Sequence, residues 1–208
     1  MIINLEAFLL AITILTLTPG LDTALVIRNT SRAGVTAGYM TSLGICFGLF
    51  VHATFSAIGI SAILMQSAEL FQLIKWAGAA YLIWLGLSSF KSLLQGQKNT
   101  IHLQQVKTPL KHQKAFREGF LSNVLNPKTG IFYLAFLPQF INPEYSPLLQ
   151  SLLMAGIHFI IAMIWQCGLA STLNKAKNLL QSRAFLAWME GITGTVLLLL
   201  GVKLLLEE

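Results

Sequence analysis

Two proline motifs, Thr18-Pro19-Gly20-Leu21-Asp22 and Asn126-Pro127-Lys128-Thr129-Gly130, interrupt the first and the fourth apolar stretches of this 208-residue chain. Threonine and asparagine are favoured as helix N-caps. Proline is favoured at the first helical position because its missing N–H would have no partner there. Each motif therefore predicts that one helix ends and that a new half-helix begins at the proline.

Apolar stretches long enough to cross a membrane surround both motifs. Hydrophobic residues make up 55% of the chain and charged residues only 11%, which is more apolar material than one soluble core needs. A spanning helix requires about 20 mostly apolar residues. Six stretches approach or exceed that length, at about 5–27, 40–65, 70–90, 115–140, 147–170 and 186–206. The sequence predicts an all-α membrane protein with six transmembrane helices.

The two motifs also predict an inverted repeat. Three spans in each half mean that duplicated halves would insert in opposite orientations, as in many secondary transporters. An offset of 108 residues superimposes Pro19 on Pro127, so corresponding helices break at corresponding places. We predict a first three-helix repeat over 1–94, a basic cytoplasmic loop over 95–114 and a second three-helix repeat over 115–208. The alternative is that both prolines only kink their helices.

The predicted breaks lie deep in the membrane. From Pro19 to Arg28 is about ten residues, or roughly 15 Å at 1.5 Å per residue, which is about half the hydrocarbon thickness. We therefore place the breaks of helices 1 and 4 near the midplane. Non-helical backbone at that depth is tolerated only inside protein or beside a water-filled cavity.

Basic residues collect on one side of the predicted spans. Eleven of the 14 lysines and arginines follow the first, third and fifth spans: Arg28, Arg32, Lys91, Lys98, Lys107, Lys111, Lys114, Arg117, Lys175, Lys177 and Arg183. The positive-inside rule then predicts that the N- and C-termini lie outside. The expected location is a bacterial cytoplasmic (inner) membrane, which the protein crosses several times. The basic stretch 95–114 has no aromatic residue for base stacking, so no nucleic-acid partner is expected.

Asp22 and Lys128 follow the two prolines inside predicted spans. A carboxylate at membrane depth costs about 3 kcal/mol or more unless it is paired or hydrated, which favours a functional role for Asp22. Asp22 would then bind a substrate ammonium or carry a coupling proton; alternatively, it pairs with Lys128 or Arg28. Lys128 opposes the helix dipole in the first turn of its half-helix, which indicates an anionic partner, either Asp22 or a substrate carboxylate.

The candidate substrate site combines these residues with their polar neighbours. Half-helix N-termini carry partial positive charge and suit a carboxylate. The predicted substrate-binding residues are Thr18, Pro19, Gly20, Asp22, Asn123, Asn126, Pro127 and Lys128.

Three residues are candidates for proton coupling: Asp22, His52 and His158. The two histidines lie within two residues of equivalence at the repeat offset, and histidine titrates near physiological pH. The alternative is that each histidine only hydrogen-bonds to a neighbouring helix.

Several segments together resemble the LysE/RhtB amino-acid exporters. They are Leu17-Thr-Pro-Gly-Leu-Asp22, the segment from Gly78-Ala-Ala-Tyr-Leu82 to Gly86, and the run from Gly119-Phe through Asn126-Pro-Lys128 to Leu137-Pro-Gln-Phe140. The resemblance covers nearly the whole chain. It implies an inner-membrane protein that expels amino acids such as lysine, threonine, homoserine or leucine, driven by the proton motive force. Leu21 departs from the family pattern, which usually has a second proline there, so the break is expected to be gentler and the substrate is left open.

The predicted function is secondary active export of amino acids or close derivatives from the cytoplasm by proton antiport. No cofactor, resident metal or enzymatic activity is expected, since the sequence lacks a phosphate-binding glycine loop, a His-Glu-x-x-His pattern and a Gly-x-Ser-x-Gly elbow. The expected partners are an amino-acid substrate, protons and the lipid bilayer. Glycine-rich faces on the second and third spans would suit a homodimer.

Two alternatives from other classes remain. A divalent-metal or other small-cation exporter would use Asp22, His52 and His158 as ligands, although the three lack ligand spacing. An intramembrane thiol redox carrier would use Cys46 and Cys167. This second alternative is less favoured because the repeat offset places neither cysteine opposite the other, and neither adjoins a helix break or a basic group.

Overall fold

The computed structural model describes residues 2–18, 20–66, 68–95, 110–180 and 182–206, and within these ranges the chain contains helices and no strands. The helices are α1 Leu5–Leu17, α2 Leu21–Ala33, α3 Val35–Gln66, α4 Ala68–Gln95, α5 His112–Val124, α6 Pro127–Phe136, α7 Pro147–Leu180 and α8 Arg183–Leu206. A short 3-10 helix, Leu137–Phe140, follows α6. The predicted all-α class is confirmed.

Long apolar helices dominate the bundle. Among the described residues, Val35–Gly59 of α3 and Pro147–Leu173 of α7 are each long and apolar enough to cross a membrane. The pair α1 and α2 meets the same test as one span bent by 48°. Each of the six predicted stretches overlaps a helix or a broken pair of helices. The six-span inverted repeat itself stays a prediction.

The first break separates α1 from α2. Thr18 is the C-cap of α1, and its hydroxyl donates to the Ile14 carbonyl at 2.6 Å. α2 begins at Leu21 with Gly20 as its N-cap. The prediction that Thr18 would cap the new half-helix is therefore wrong, because the preceding helix already uses its hydroxyl. Pro19 lies outside the described residues.

The second break separates α5 from α6 and follows the prediction closely. α6 begins at Pro127, and the side-chain oxygen of its N-cap, Asn126, accepts the Lys128 backbone N–H at 3.1 Å. The asparagine cap followed by a first-turn proline is confirmed. α5 begins at His112, three residues before the predicted second repeat.

Glycines bring α3 and α5 into backbone contact. A Cβ atom added to Gly44 would meet the Phe116 carbonyl, and one added to Gly119 would meet the Thr41 carbonyl. Small residues allow membrane helices to approach this closely. α3 also packs along α7 and contacts α2 and α6, so it lies at the centre of the bundle.

The two ends of the bundle differ in chemistry. At one end, the Ile3 N–H donates to the Phe140 carbonyl at 2.8 Å, and the Phe8 and Phe140 rings meet edge to face with centroids 5.4 Å apart. At the other end, Arg28 forms an ion pair with Glu118 at 2.8 Å. We call the first region, with α1 and α6, the α1/α6 half, and the second, with α2 and α5, the α2/α5 half. The two breaks lie between these halves.

Candidate functional site

A cavity of about 50 Å³ lies where the two breaks meet. Of the eight predicted substrate-binding residues, six line it: Thr18, Gly20, Asp22, Asn123, Asn126 and Lys128. Pro127 is not among the lining residues, and Pro19 is outside the described ones. The structure thus brings residues from both motifs to one place, although they are about 100 positions apart in the chain. Their role in binding a substrate stays a prediction.

Asp22 joins the first break to the second through three hydrogen bonds. Its Oδ1 accepts the Ser122 hydroxyl at 2.9 Å. Its Oδ2 accepts the side-chain amides of Asn123 at 2.9 Å and Asn126 at 3.1 Å. Arg28 pairs with Glu118 instead, and no lysine or arginine nitrogen of the described residues lies within 4.0 Å of Asp22. Neutral donors, one of which sequence analysis missed, therefore hold this carboxylate.

Lys128 is directed from the second break towards the first. A Cβ atom added to Gly20 would lie 4.0 Å from the Lys128 Nζ. Across the described part of the chain, no carboxylate oxygen comes within 4.0 Å of this ammonium. Lys128 therefore supplies a positive charge to the cavity without an anion to balance it at contact distance.

His158 connects α7 to both broken helices from a buried position. The Thr16 hydroxyl donates to the Ile12 carbonyl at 2.6 Å, so its single proton is used. The His158 Nε2, 3.0 Å from the Thr16 oxygen, must then be the donor. A neutral ring protonated on Nε2 accepts at Nδ1, and the Tyr133 hydroxyl lies 3.0 Å from that atom. His158 also lines the cavity.

His52 also lies beside Tyr133. Its Nε2 is 2.9 Å from the Asn123 carbonyl, and its ring centroid is 5.9 Å from that of Tyr133. Tyr133 also stacks on His158, with centroids 5.9 Å apart. The two predicted histidines are thus linked through a tyrosine that sequence analysis missed. A lone phenol within the apolar stretch of α6 is the signal that would have identified it.

Two buried acceptor atoms beside the cavity have no hydrogen-bond partner among the described residues: the Asn123 Oδ1 and the Gln166 Oε1. Leaving a buried polar atom unpaired costs about 1–3 kcal/mol. Such atoms therefore call for water or a ligand. Apolar side chains supply much of the remaining wall, including Leu15, Ile45 and Leu49.

The geometry gives little support to the metal alternative. Asp22, His52 and His158 bond to other groups, and no hydrogen bond of the described residues joins any two of them. The part of the chain that the structure describes contains no group of three or more His, Cys, Asp or Glu residues able to hold a metal ion. Cys46 and Cys167 are free thiols, the first buried and the second partly exposed.

Long apolar helices, two helix breaks and a polar cavity between them are typical of helical membrane transporters. Comparison with known proteins agrees with that class. The family model described as LysE type translocator matches residues 13–208. The chain is 35% identical over 208 residues to the uncharacterized membrane protein YrhP of Bacillus subtilis (strain 168), with 96% of this chain and 97% of that relative covered.

A second relative has a functional name. The chain is 27% identical over 198 residues to the homoserine/homoserine lactone efflux protein of Salmonella typhi, with 95% of this chain and 94% of that relative covered. No solved structure matches the chain. The chain belongs to the LysE type translocator family, and the resemblance noted in the sequence is confirmed. It is a membrane efflux transporter.

Proposed function

We propose that this protein exports a small amino acid or a close derivative from the cytoplasm by proton antiport, with the cavity between the two breaks as its substrate site. The observation that carries the proposal is the Lys128 ammonium, which faces the first break with no carboxylate oxygen of the described residues within 4.0 Å. An efflux relative named for homoserine supports an amino-acid substrate.

The substrate carboxylate binds between Lys128 and the start of α2. No side chain caps the N-terminus of α2, because its N-cap is Gly20. The first-turn N–H groups of a helix favour an anion, and a charged ammonium strengthens a hydrogen bond to a carboxylate. Together they supply donors from both broken helices to one anionic group.

The substrate ammonium binds at Asp22. A carboxylate has about four acceptor positions, and Asp22 uses three, with only one bond on Oδ1. One further donor can therefore approach from the cavity without displacing the existing bonds. This interpretation keeps the predicted contact but adds a second role for Asp22, as the junction between α2 and the turn after α5.

Proton coupling follows from the same junction. Protonation of Asp22 on Oδ2 would turn an acceptor of two amide bonds into a donor and would weaken the contact of α2 with the second break. The His158 Nδ1 is a second site for a proton. If it were protonated, the Tyr133 hydroxyl could no longer donate to it and would have to rotate. Substrate binding and protonation then compete for the residues that hold the two breaks together.

Alternating access would result from movement of the two halves about the cavity. In the proposed six-span inverted repeat of the inner membrane, with both termini outside, the α2/α5 half faces the cytoplasm. In this half, Glu118 joins α5 to α2. Its carboxylate accepts hydrogen bonds from the Arg28 guanidinium at 2.8 Å and from the buried Asn29 amide at 3.1 Å. The same Asn29 nitrogen donates to Thr41 on α3 at 3.0 Å. Release of these bonds would admit substrate from that side.

The test is counterflow of labelled homoserine in liposomes that contain the purified protein. Wild type should exchange homoserine, and an imposed pH gradient should drive its accumulation on the more acidic side. Lys128→Met should reduce exchange about 100-fold, as the loss of a charged hydrogen bond worth up to about 3 kcal/mol predicts. Lys111→Met is the matched control, because Lys111 is exposed at the start of α5, away from the cavity lining. Normal exchange by Lys128→Met would refute the carboxylate site, and indifference to the pH gradient would refute antiport.

A further inference from the structure

One face of α7 forms a continuous wall of the cavity. His158, Ala162 and Gln166 are spaced four residues apart, which places them on the same side of a helix over about 12 Å, and all three line the cavity. Both ring nitrogens of His158 have partners, and Ala162 has no polar side-chain atom. Gln166 is therefore the polar group on this wall that remains available.

Gln166 is buried without a hydrogen-bond partner. Its side chain is 6% exposed, and its Oε1 is fully buried with no donor among the described residues. An amide presents a carbonyl on one edge and an NH2 group on the other, and rotation about its last bond exchanges them. The group can therefore accept from a ligand in the cavity or donate to it. Because the His158 ring nitrogens on this wall already have partners, the Gln166 amide is suited to bind a neutral polar group of a ligand.

The charges of the cavity restrict that partner further. Among its described lining residues, Lys128 is the cation and Asp22 the carboxylate, and the proposed function assigns them to the backbone carboxylate and ammonium of the substrate. A cationic or anionic substrate side chain would find no second counter-charge. The side chain that reaches Gln166 must therefore be uncharged.

We infer that Gln166 is a specificity-determining residue that hydrogen-bonds an uncharged polar group on the substrate side chain. The preferred substrate is a small zwitterion that carries a hydroxyl group, selected over an isostere with a methyl group in its place. This inference rests on the proposed function, since it takes the cavity to be the substrate site.

Homoserine and norvaline test the inference because they differ by hydroxyl against methyl at the same position. In the liposome assay, wild type should favour homoserine by about tenfold, the value of one neutral hydrogen bond. Gln166→Met has nearly the same shape and should bring this ratio close to one while norvaline exchange continues. The variant should fold, because it removes an unpaired buried amide.

Gln139→Met is the matched control. Gln139 also has a buried, unpaired amide nitrogen, but it lies in the 3-10 helix after α6 and is not among the residues that line the cavity. This variant should keep the wild-type ratio. A loss of preference in Gln139→Met equal to that in Gln166→Met would overturn the inference.

A gain of function gives a second, independent readout. Gln166→Glu places a carboxylate where the substrate side chain ends, so it should newly accept 2,4-diaminobutyrate, in which an ammonium replaces the homoserine hydroxyl. Misfolding cannot produce such a gain. An unchanged homoserine to norvaline ratio in Gln166→Met, or no gain for 2,4-diaminobutyrate in Gln166→Glu, would refute the role of Gln166. A wild-type protein that exchanges neither homoserine nor norvaline, nor any other small amino acid in the same assay, would refute the proposed function itself.

Discussion

Each of the two helix breaks falls at a proline motif, but the breaks are built differently. The second break stabilises its own new helix, because Asn126 accepts the Lys128 N–H and Pro127 occupies the first helical position. The first break has no side-chain cap for α2, and its Asp22 carboxylate instead accepts donors from the second break. Lys128 in turn is directed at Gly20. Each break therefore presents its charged residue to the other, and the pair forms one site of mixed charge.

Asp22→Ala should give the largest effect, because it removes the acceptor for three donors at once. One or more of Ser122, Asn123 and Asn126 would then be left without a partner, at about 1–3 kcal/mol for each buried group that water cannot reach. We expect loss of export and a stability loss of about 2–4 kcal/mol, measured by thermal unfolding in detergent. Ser122→Ala removes only one donor and should cost about 1 kcal/mol or less. Equal unfolding temperatures for Asp22→Ala and wild type would show that Asp22 does not hold α2 to the turn after α5.

Asp22→Asn separates the charge of the junction from its shape. The new amide oxygen can accept from Asn123 and Asn126, while its nitrogen donates to the Ser122 hydroxyl, so the unfolding temperature should stay near that of wild type. The residue can no longer carry a proton or a negative charge, and export should fall about 100-fold, the worth of a charged hydrogen bond of up to about 3 kcal/mol. The measurement is homoserine counterflow with and without a pH gradient. Undiminished, gradient-driven export would remove Asp22 from the coupling step.

Asn126→Ala should have an intermediate effect, because Asn126 serves both breaks. Loss of the cap costs about 0.5–2 kcal/mol, and one of the two amide donors to the Asp22 Oδ2 is lost as well. Asn126→Asp distinguishes these roles, since it keeps a good cap but places a second carboxylate beside Asp22. If the contact between the breaks matters more than the cap, Asn126→Asp will unfold at a lower temperature than Asn126→Ala. The reverse order would reduce Asn126 to a helix cap.

Thr18→Val should have the smallest effect. Its hydroxyl lies 2.8 Å from the Thr193 hydroxyl and ties the end of α1 to α8. Loss of this neutral bond should cost about 1 kcal/mol and change homoserine exchange less than twofold. Thr195→Val is the control, since among the described residues the exposed Thr195 hydroxyl bonds to the Gly191 carbonyl of its own helix and to nothing outside it. A severe loss of exchange in Thr18→Val alone would show that the first break contributes more to transport than its missing cap implies.

Local chemistry predicted the position of both breaks and the Asn126 cap, because these depend on neighbouring residues. The spacing of residues in the sequence could not predict which groups donate to Asp22. Ser122 and Asn123 are about 100 residues away, whereas Arg28, which is close in sequence, was an equally reasonable partner. Glu118 was not identified as a functional residue because many basic residues precede it in the sequence. Its role depends on the contact between α2 and α5, which the sequence does not show. The role predicted for Thr18 was wrong because a threonine hydroxyl can bond to the end of one helix or cap the start of the next. The sequence does not decide between these two roles.

The junction at Asp22 also has a consequence for biogenesis. Its first partner, Ser122, is encoded 100 residues later, and at about 5–20 residues per second the ribosome takes about 5–20 s to reach it. Throughout that interval the first broken helix has been made but its carboxylate lacks its final partners. Asp22 must stay hydrated, protonated or shielded by the insertion machinery until the second half arrives. The order of synthesis therefore makes completion of this site a late step in assembly of the bundle.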